Sequence, residues 1–543
     1  MRKTSFQVYI SFFILCLLMV SLFVGCASIQ APTGGPRDTI PPKVIDENPK
    51  NFTTNFKGDE INIELDEYFK LENEFKEVST SPAMTRSPIL KIKKRVLEIK
   101  FQEPLLDSTT YTINFGNAIA DNNEANILKN YVYVMSTGPK IDSLSISGTV
   151  VNTLNKEPVL DATVFLLPAN QDSLFGKTRA SIFTTTDSSG RYSLKYLKAN
   201  KYNIYALKEE GGDKIYNSTK EEIAFFDSQI DLRKDTGNIN LELFSEQPAN
   251  FRLLDRKIEK DARLTLIFNK QLEKPAIQIL QPAELNSSKL VEFTPTNDTA
   301  FVWLPSMEFD SINVTVRNLH KNLDTVVVRR AKRDTYSRVI TIASNISSGK
   351  LRPGAEVQLT LSAPIRTIDG KKFTLLQDSV PVAGLRISRD SLSTRKINLR
   401  YPWRDEKNYI LNIGDNAFGG TFGGANKAID LKFTKDIEEN YGVLSINATV
   451  PDTSKSYIVQ LLNSEEDIIT SNIIHQNIVL NYPTLPIGKY LIRIIYDENK
   501  NGKWDTGSVR ERRQPEKVWN NPGEISLRAN FDLEEKVAIP KPQ

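Results

Sequence analysis

Oxygen-bearing side chains alternate with other residues near the C-terminus, and this spacing could hold a cation. Asp497, Asn499 and Asn501 are followed by Gly502, and Asp505 lies a little further on. Hard cations prefer oxygen ligands, and a curling backbone aims alternate side chains toward one point. The segment therefore predicts a calcium-binding loop.

The same segment resembles the start of an EF-hand or dockerin loop. That resemblance implies five ligands: Asp497, Asn499, Asn501, the carbonyl of Lys503, and Asp505. It departs where Ser508 replaces the bidentate Glu and where residues 491–496 predict a strand instead of a helix. Two carboxylates and two amides imply a dissociation constant of ~10⁻⁴–10⁻³ M. A plain Asx-rich turn with Trp504 packed on a sheet is the other interpretation.

Aromatic residues between 401 and 424 form the best candidate patch for contact with a ligand. Trp403 lies between a Pro and an Arg, which favours a loop, and Phe418 and Phe422 flank a glycine-rich segment. Glycan-binding proteins often present exposed aromatic rings, so we predict ligand contact by Trp403, Phe418 and Phe422. Packing of these rings inside the fold is the alternative.

Residues for the common kinds of catalysis are scarce. The chain has two histidines, His320 and His475, in different predicted domains, and two cysteines near the N-terminus. Nucleophilic triads and catalytic zinc are therefore not expected. A glycosidase needs only two carboxylates, but Asp66 and Glu67 are adjacent on a predicted strand and point to opposite faces. We expect no enzymatic activity, and calcium is the one cofactor that the residues suggest.

An apolar run at the N-terminus predicts where the protein resides. Residues 8–24 are almost all apolar, Arg2 and Lys3 precede them, and Gly25 and Cys26 follow. This pattern is typical of a secretory signal peptide. The run is about long enough to cross a bilayer, so a permanent membrane anchor is the alternative. An uncharged tether rich in Pro and Gly, rather than a basic cluster, comes next.

The end of that run resembles the bacterial lipoprotein signal, in which Gly or Ala precedes a cysteine. Gly25 and Cys26 fit the pattern, and Phe23 departs from the usual Leu. The resemblance implies a signal peptide over residues 1–25, a tether over 26–40, and acylation of Cys26 with palmitate or similar chains. Several acyl chains anchor a protein stably. We expect a lipid-anchored protein of the cell envelope, at the outer membrane by default, on its periplasmic or surface face.

Period-two alternation of apolar residues predicts an all-β chain. It is strict in Ile61–Leu65 and Tyr111–Phe115, and Gly, Pro, Asn and Asp interrupt such segments. Short strands at this spacing favour tandem antiparallel β-sandwiches, with one face of each strand buried and the other solvated. The net charge of +4 gives no reason to expect nucleic acid as a partner. A basic cluster in a predicted loop stays open to interpretation: Arg510, Arg512 and Arg513.

Residues 41–139 resemble the bacterial Ig-like domain called Big_5, or SbsA-type. The resemblance is carried by the following segments: Pro41–Val44, Ile61–Leu65, Thr109–Phe115, Gly116–Glu124 and Ser136–Gly138. Many Bacteroidetes lipoproteins carry this domain directly after a cysteine and a tether. The match implies an antiparallel sandwich.

Residues 145–245 resemble the carboxypeptidase regulatory-like, or transthyretin-like, sandwich. The resemblance lies in Ile146–Val150, Glu157–Leu166 and Thr184–Leu194, and it implies a non-catalytic accessory domain. We predict degenerate Ig-like sandwiches over residues 248–340 and 341–437. A transthyretin-like or fibronectin-like sandwich is predicted over 438–536.

These features together favour a non-enzymatic cell-envelope lipoprotein, built as a multi-domain scaffold or as an adhesion and interaction module. Its serial sandwiches predict a stalk. The alternative is a surface glycan-binding lipoprotein of a nutrient-uptake system. The expected partners are the membrane, through the lipid anchor, and an envelope protein or a glycan.

Overall fold

The described part of the chain divides into two compact units between Asp142 and Ser143. This computed structural model describes residues 38–331 and 333–542. The predicted signal peptide, Cys26 and most of the tether lie outside the described residues. Strands predominate in both units, and the described helices are short: α1 (Glu74–Glu77), α2 (Glu284–Ser288), and 3-10 turns at Ala169–Leu174, Gly370–Lys372 and Glu438–Asn440. The prediction of an all-β fold of tandem sandwiches is confirmed.

The first unit is one sandwich. Its strands are β1 (Val44–Asn48), β2 (Glu60–Leu65), β3 (Phe69–Leu71), β4 (Ser79–Ser81), β5 (Ile89–Lys93), β6 (Val96–Lys100), β7 (Thr110–Asn114), β8 (Ile119–Asp121) and β9 (Val132–Ser136). They form sheets in the orders β1-β2-β6-β5, β4-β7-β9 and β3-β8. Ile61, Ile63 and Leu65 alternate inward along β2 and are fully buried. The other face of β2 is partly solvated, as the period-two pattern predicts.

The second unit begins with a sandwich that we call the second sandwich. Its strands are β10 (Leu144–Asn152), β11 (Thr163–Pro168), β12 (Ile182–Thr185), β13 (Arg191–Leu197), β14 (Asn200–Lys208), β15 (Glu222–Phe225), β16 (Ile230–Leu232) and β17 (Leu241–Ser245). They join in the order β12-β11-β14-β15-β17-β10-β13, with β16 beside β14. Strands β10 and β17 are parallel, an exception to the antiparallel pattern.

The third and fourth sandwiches follow. The third contains β18 (Leu253–Ile258), β19 (Arg263–Phe268), β20 (Pro275–Gln281), β21 (Leu290–Phe293), β22 (Thr299–Trp303), β23 (Ser311–Asn318) and β24 (Lys321–Arg329). The fourth contains β25 (Ile342–Ser344), β26 (Lys350–Leu351), β27 (Val357–Leu361), β28 (Ile365–Ile368), β29 (Phe373–Gln377), β30 (Val380–Val382), β31 (Arg386–Arg389), β32 (Lys396–Arg400), β33 (Asn408–Ile413), β34 (Phe418–Gly420) and β35 (Ile429–Lys435). Each encloses its own apolar core.

One arginine joins the third sandwich to the fourth. The Arg395 guanidinium donates Nε to Oε2 of Glu292 at 2.9 Å and Nη2 to Oε1 at 2.5 Å. Its carbon lies 5.3 Å from the centroid of the Trp303 ring. A bidentate pair stacked on an aromatic face needs the planar guanidinium of Arg.

The fifth sandwich repeats the connectivity of the second. Its strands are β36 (Tyr441–Thr449), β37 (Ser456–Asn463), β38 (Ile468–Ile474), β39 (Ile478–Pro486), β40 (Gly488–Asp497), β41 (Val518–Asn520), β42 (Ile525–Leu527) and β43 (Asp532–Ala538). In both sandwiches the first strand pairs antiparallel with the fourth and parallel with the eighth. In both, the fifth strand pairs with the second, the sixth and the seventh.

The expectation that every strand has one solvated face is wrong for these two sandwiches. Strands β11, β14, β37 and β40 are buried over most of their length on both faces. Their inner faces line the sandwich cores, and other segments of the second unit cover their outer faces. Such strands lose the alternation that marks a sheet with one wet side.

Candidate functional site at the junction of the second and fifth sandwiches

A long loop, residues 498–517, leaves the end of β40 and is anchored there by Asp497. The Asp497 side chain is buried, with 1% of the residue exposed. Its Oδ1 accepts the backbone N–H of Asn501 at 3.0 Å, and its Oδ2 accepts that of Gly502 at 3.1 Å and the Ser456 hydroxyl at 2.8 Å. Both carboxylate oxygens therefore have donors from the protein, and the turn closes on them.

The remaining side chains of the predicted calcium loop also bond to one another. The amide nitrogens of Asn499 and Asn501 both donate to Oδ2 of Asp505, the latter at 2.7 Å. The side-chain oxygen of Asn501 accepts the backbone N–H of Lys503 at 2.8 Å. The two amide oxygens thus point away from the Asp505 carboxylate, and both amides would have to turn to ligate a cation with it.

No group of three or more His, Cys, Asp or Glu side chains within residues 38–331 and 333–542 could hold a metal ion. The predicted calcium site has only two carboxylates, and its other ligands are two amides and one carbonyl. A search for three or more His, Cys, Asp or Glu side chains therefore does not test it. Calcium binding by Asp497, Asn499, Asn501, Lys503 and Asp505 stays a prediction, and the hydrogen bonds described above are those of an Asx-rich turn.

Glu516 is a component of this loop that the sequence analysis missed. Its carboxylate is buried and accepts the backbone N–H groups of Glu498 at 2.8 Å and Asp505 at 3.0 Å. Burial raises the pKa of Glu516, and the nearby Asp505 and Asp497 raise it further, although the two backbone donors oppose them. No spacing rule links Glu516 to the loop, because its position depends on how the chain returns to β41.

Trp504 lies at the centre of the loop and packs inside it. Its Nε1 donates to the backbone oxygen of Glu516 at 3.1 Å. The half-buried ring contacts two apolar clusters, one on the outer face of the second sandwich and one on that of the fifth. This placement agrees with the interpretation of the segment as a packed turn.

The second half of the loop binds the second sandwich through its backbone and a hydroxyl. Thr506 donates its hydroxyl to the backbone oxygen of Ser245 at 2.6 Å. The N–H of Val509 donates to Oε1 of Glu246 at 2.7 Å. The Val509 side chain is only 5% exposed. It joins an apolar cluster made by the outer face of the second sandwich: Phe165, Leu167, Ala180, Phe183, Tyr205, Leu207, Ile223, Phe225 and Phe244.

Arg512 belongs to the basic cluster whose role the sequence leaves undecided, and it takes part in this contact. Its guanidinium donates to the Tyr205 hydroxyl at 3.1 Å and to the backbone oxygen of Phe226 at 3.0 Å. It also lies 5.1 Å from the centroid of the Phe225 ring. Gln514 adds a bond to the backbone oxygen of Phe225 at 2.9 Å. Arg512 is therefore a structural residue of the junction.

A second apolar cluster lies on the other side of the junction. Leu154 of the second sandwich packs against three buried residues of the fifth, Ile458, Ile495 and Val518. The Asn520 amide donates to the backbone oxygen of Leu154 at 2.9 Å. The fifth sandwich therefore contacts the second directly, and within this unit the sandwiches do not follow one another as a simple series.

The aromatic patch predicted at 401–424 divides into buried and half-buried rings. Phe418 is 0% exposed and packs against Phe373 with ring centroids 5.4 Å apart, so the prediction that it contacts a ligand is wrong. A residue next to glycines can point inward as easily as outward, and here β34 aims Phe418 into the core. Phe422 is half-buried.

Trp403 is also half-buried, and it is embedded among other aromatic rings. Its ring centroid lies 5.0 Å from those of Tyr401 and Tyr409 and 5.3 Å from that of Phe433. Its buried Nε1 donates no hydrogen bond to any described residue. These contacts belong to the packing alternative, and ligand contact by Trp403 and Phe422 stays a prediction.

Membrane attachment through Cys26 is likewise a prediction, since Cys26 lies outside the described residues. In the part of the chain that the structure describes, no helix is long and apolar enough to span a bilayer.

Comparison with known proteins identifies the class of the first sandwich. Residues 38–137 match the family model of the bacterial Ig-like domain Big_5. This match agrees with the span 41–139 that the sequence predicts, and the sandwich of β1–β9 is a bacterial Ig-like domain. No curated protein matches the chain.

The solved structures that resemble the chain include the following two. The TIE protein of Bacillus anthracis is 10% identical, with 94% of this chain and 75% of that chain covered and a TM-score of 0.15. The SGBP-B protein of the mixed-linkage glucan utilization locus of Bacteroides ovatus, in complex with a heptasaccharide, is 12% identical, with 71% and 91% covered and a TM-score of 0.19. These scores are too low to carry a functional conclusion.

Proposed function

We propose that this protein is a non-enzymatic scaffold of the cell envelope, anchored by lipid at Cys26. The N-terminal pattern of an apolar run followed by Gly25 and Cys26 supports the anchor. The bacterial Ig-like domain that follows supports an envelope location. The scaffold presents its domains to an envelope partner and performs no chemistry of its own.

The observation that carries the scaffold proposal is the buried junction between the second and fifth sandwiches. Domains joined by linkers usually move relative to one another unless a large apolar interface holds them. Here Val509 and Leu154 each enter an apolar cluster on the opposite sandwich. A unit held in this way keeps fixed distances between its surfaces, which is what a scaffold requires.

Lipid attachment is tested by labelling cells with a palmitate analogue and by separating their membranes. We expect label on the wild-type protein and none on Cys26→Ser, which should move to the soluble fraction. Cys16→Ser is the matched control, because Cys16 lies inside the predicted leader. A Cys26→Ser protein that stays firmly in the membrane would contradict the anchor.

The fixed geometry is tested by measuring a distance between spin labels on the full chain in detergent. Lys195 of the second sandwich and Lys536 of the fifth are both exposed, and each is mutated to Cys for labelling. The native cysteines of the chain are Cys16 and Cys26. We expect one narrow distance distribution. A broad distribution would show that the two sandwiches move independently, and the scaffold proposal would lose its basis.

A further inference from the structure

A wide cleft of about 1020 Å³ opens beside the junction, within the second unit. Its walls come from three places: residues 172–219 of the second sandwich, residues 246–269 at the start of the third, and residues 505–513 of the long loop. Ligand sites commonly enclose about 300–1,000 Å³. The cleft is thus large enough for an extended ligand, and it exists only because the loop docks on the second sandwich.

The acidic side chains that line the cleft already have partners. Asp172 accepts the Tyr205 hydroxyl at 2.6 Å, and Glu246 accepts the Tyr216 hydroxyl at 2.5 Å. Asp505 accepts the Asn501 amide at 2.7 Å, and Glu511 forms an ion pair with Arg513 at 3.4 Å. These hydrogen bonds fix the carboxylates in place but leave Asp172, Glu246 and Asp505 charged, and five cations face four carboxylates across the lining of the cleft.

Three cations in the cleft have no such partner. Lys177, Arg252 and Arg510 line it from its three walls, and all are exposed. None of them forms an ion pair or a side-chain hydrogen bond within the described residues. An anion that carries several charges along its length can approach cations on all three walls.

Two aromatic rings in the lining of the cleft offer apolar contact to a polyhydroxylated ring. Phe175 and Tyr216 are half-buried, and their ring centroids lie 5.9 Å apart. Aromatic faces stack on apolar ring surfaces. Gln247 and Asn250 add exposed amides that bond to no other described residue, and an amide offers both a donor and an acceptor to hydroxyl groups.

From this combination we infer that the cleft binds an acidic oligosaccharide. Lys177, Arg252 and Arg510 hold its carboxylates, and Phe175 and Tyr216 stack on its rings. The inference is independent of the lipid anchor, but it shares the docked loop with the scaffold proposal. A protein with a rigid junction that binds no glycan would overturn this inference alone.

The test is titration calorimetry with the full chain in detergent, and short galacturonic acid oligomers are the probe. We expect binding that weakens as salt is added, since exposed charges are screened. Methyl esters of the same oligomers, which lack the charge, and cellulose oligomers should bind far more weakly. No binding of the acidic oligomers, or equal binding of their esters, would overturn the inference.

Single changes to Gln at Lys177, Arg252 and Arg510 should each weaken binding about fivefold, and the triple change about a hundredfold. The matched control is the triple change to Gln at Lys195, Arg528 and Lys536, which removes the same charge from exposed positions outside the cleft. An unchanged affinity in the cleft variant, or an equal loss in the control, would show that binding lies elsewhere.

Two competitors separate the ligand classes. A poly-glutamate peptide tests whether the cleft prefers acidic peptides, and inorganic phosphate tests whether it takes any anion. We expect neither to displace the galacturonic acid oligomers at equal concentration of charge. Equal displacement by either one would overturn the assignment to acidic glycans.

Discussion

The second and fifth sandwiches share one connectivity, yet the loop after the fifth strand has a different role in each. In the second sandwich, residues 209–221 stay over their own sheet, where Tyr216 packs on the outer apolar cluster and bonds to Glu246. In the fifth, residues 498–517 leave their own sheet, and Thr506 and Val509 bind the second sandwich. This loop therefore joins two similar folds, together with the direct contact at Leu154.

The difference shows that the junction is encoded separately from the sandwich core. Lengthening a surface loop costs little free energy, because the closure term grows only slowly with length. The loop of the fifth sandwich adds a buried anchor at its base, Asp497, and an apolar residue at its tip, Val509. These two features, more than the shared strand order, decide which sandwich contacts which.

A charge at the tip of the loop should have the largest effect. Val509→Asp would bury a carboxylate in an apolar cluster and beside Glu246, at a cost of about 3 kcal/mol or more. We expect a lower midpoint in denaturant unfolding followed by tryptophan fluorescence, and a broadened spin-label distance. Val380→Asp is the control, because Val380 is 62% exposed. Equal effects of the two changes would refute the role of Val509.

A smaller change inside the same loop tests its close approach. A Cβ on Gly507 would lie 2.5 Å from the Phe244 ring and 2.9 Å from the backbone oxygen of Arg513. Gly507→Ala should therefore cost about 1–3 kcal/mol in unfolding free energy. Gly211→Ala in the corresponding loop of the second sandwich meets no atom closer than 3.9 Å and should be nearly neutral. A neutral Gly507→Ala would show that the loop does not press on the second sandwich.

The third and fourth sandwiches are linked by the ion pair of Arg395 and Glu292 instead of a docked loop. Arg395→Gln removes a bidentate ion pair that is partly buried, and we expect a loss of about 1–2 kcal/mol. Arg395→Lys keeps the charge but not the fork, so it should recover only part of that stability. Tryptophan emission, to which Trp303 contributes, should report both changes. Full recovery of stability in Arg395→Lys would mean that charge alone accounts for this interaction.

Calcium should stabilise the fifth sandwich. If the predicted site binds, calcium at about ten times its dissociation constant adds about 1.4 kcal/mol of stability. We expect Asp505→Ala to abolish the rise in melting temperature, as should Asp497→Ala, which also breaks the turn. Identical melting curves with calcium and with chelator would establish the segment as a plain turn.

The smallest effect concerns an anchor in the first unit that resembles Asp497. Asp121 is 1% exposed and accepts backbone N–H groups from residues 123–126. Burial alone would raise the pKa of Asp121, but these donors outweigh it and hold the pKa below its ordinary value. Its contribution to stability is therefore complete above about pH 4, the ordinary range of Asp, and is lost as the pH falls through the lowered pKa.

Hydrogen exchange of residues 110–136 in the full chain can measure this pH dependence. All four tryptophans lie after residue 142, so their fluorescence does not report on the first unit. The pKa of Glu67 shifts in the opposite direction to that of Asp121, because burial and the neighbouring Asp121 raise it. Asp121→Asn should flatten the loss of protection below about pH 4. An unchanged acid profile in Asp121→Asn would exclude Asp121 as its source.

Several elements were predictable because their signal is local. The alternation in Ile61–Leu65 gives one apolar and one polar face, and β2 buries Ile61, Ile63 and Leu65. The run Tyr457–Leu462, which is apolar except for Gln460, contained a sign of two-sided burial, since a strand covered on both faces needs no polar side. Its covering segment could not be identified in advance, because Leu154 and Trp504 are distant from it in sequence.

The candidate site was only partly predictable. The Asx-rich segment was recognisable as a turn or a cation loop because its side chains bond to nearby backbone. The error at Phe418 arose because glycine neighbours indicate a flexible backbone but not the direction of the ring. The roles of Glu516 and Arg512 depend on contacts with residues that no spacing brings together.

By itself, the amino-acid sequence determined the β class, the Ig-like first sandwich and the turn after β40, because period, turn residues and local hydrogen bonding act over a few positions. Only the tertiary structure decided that the fifth sandwich packs on the second, that β11, β14, β37 and β40 are covered twice, and that a cleft with three unpaired cations lies beside the junction. Those outcomes depend on apolar surfaces separated by hundreds of residues, and burial is decided by which surfaces meet in space.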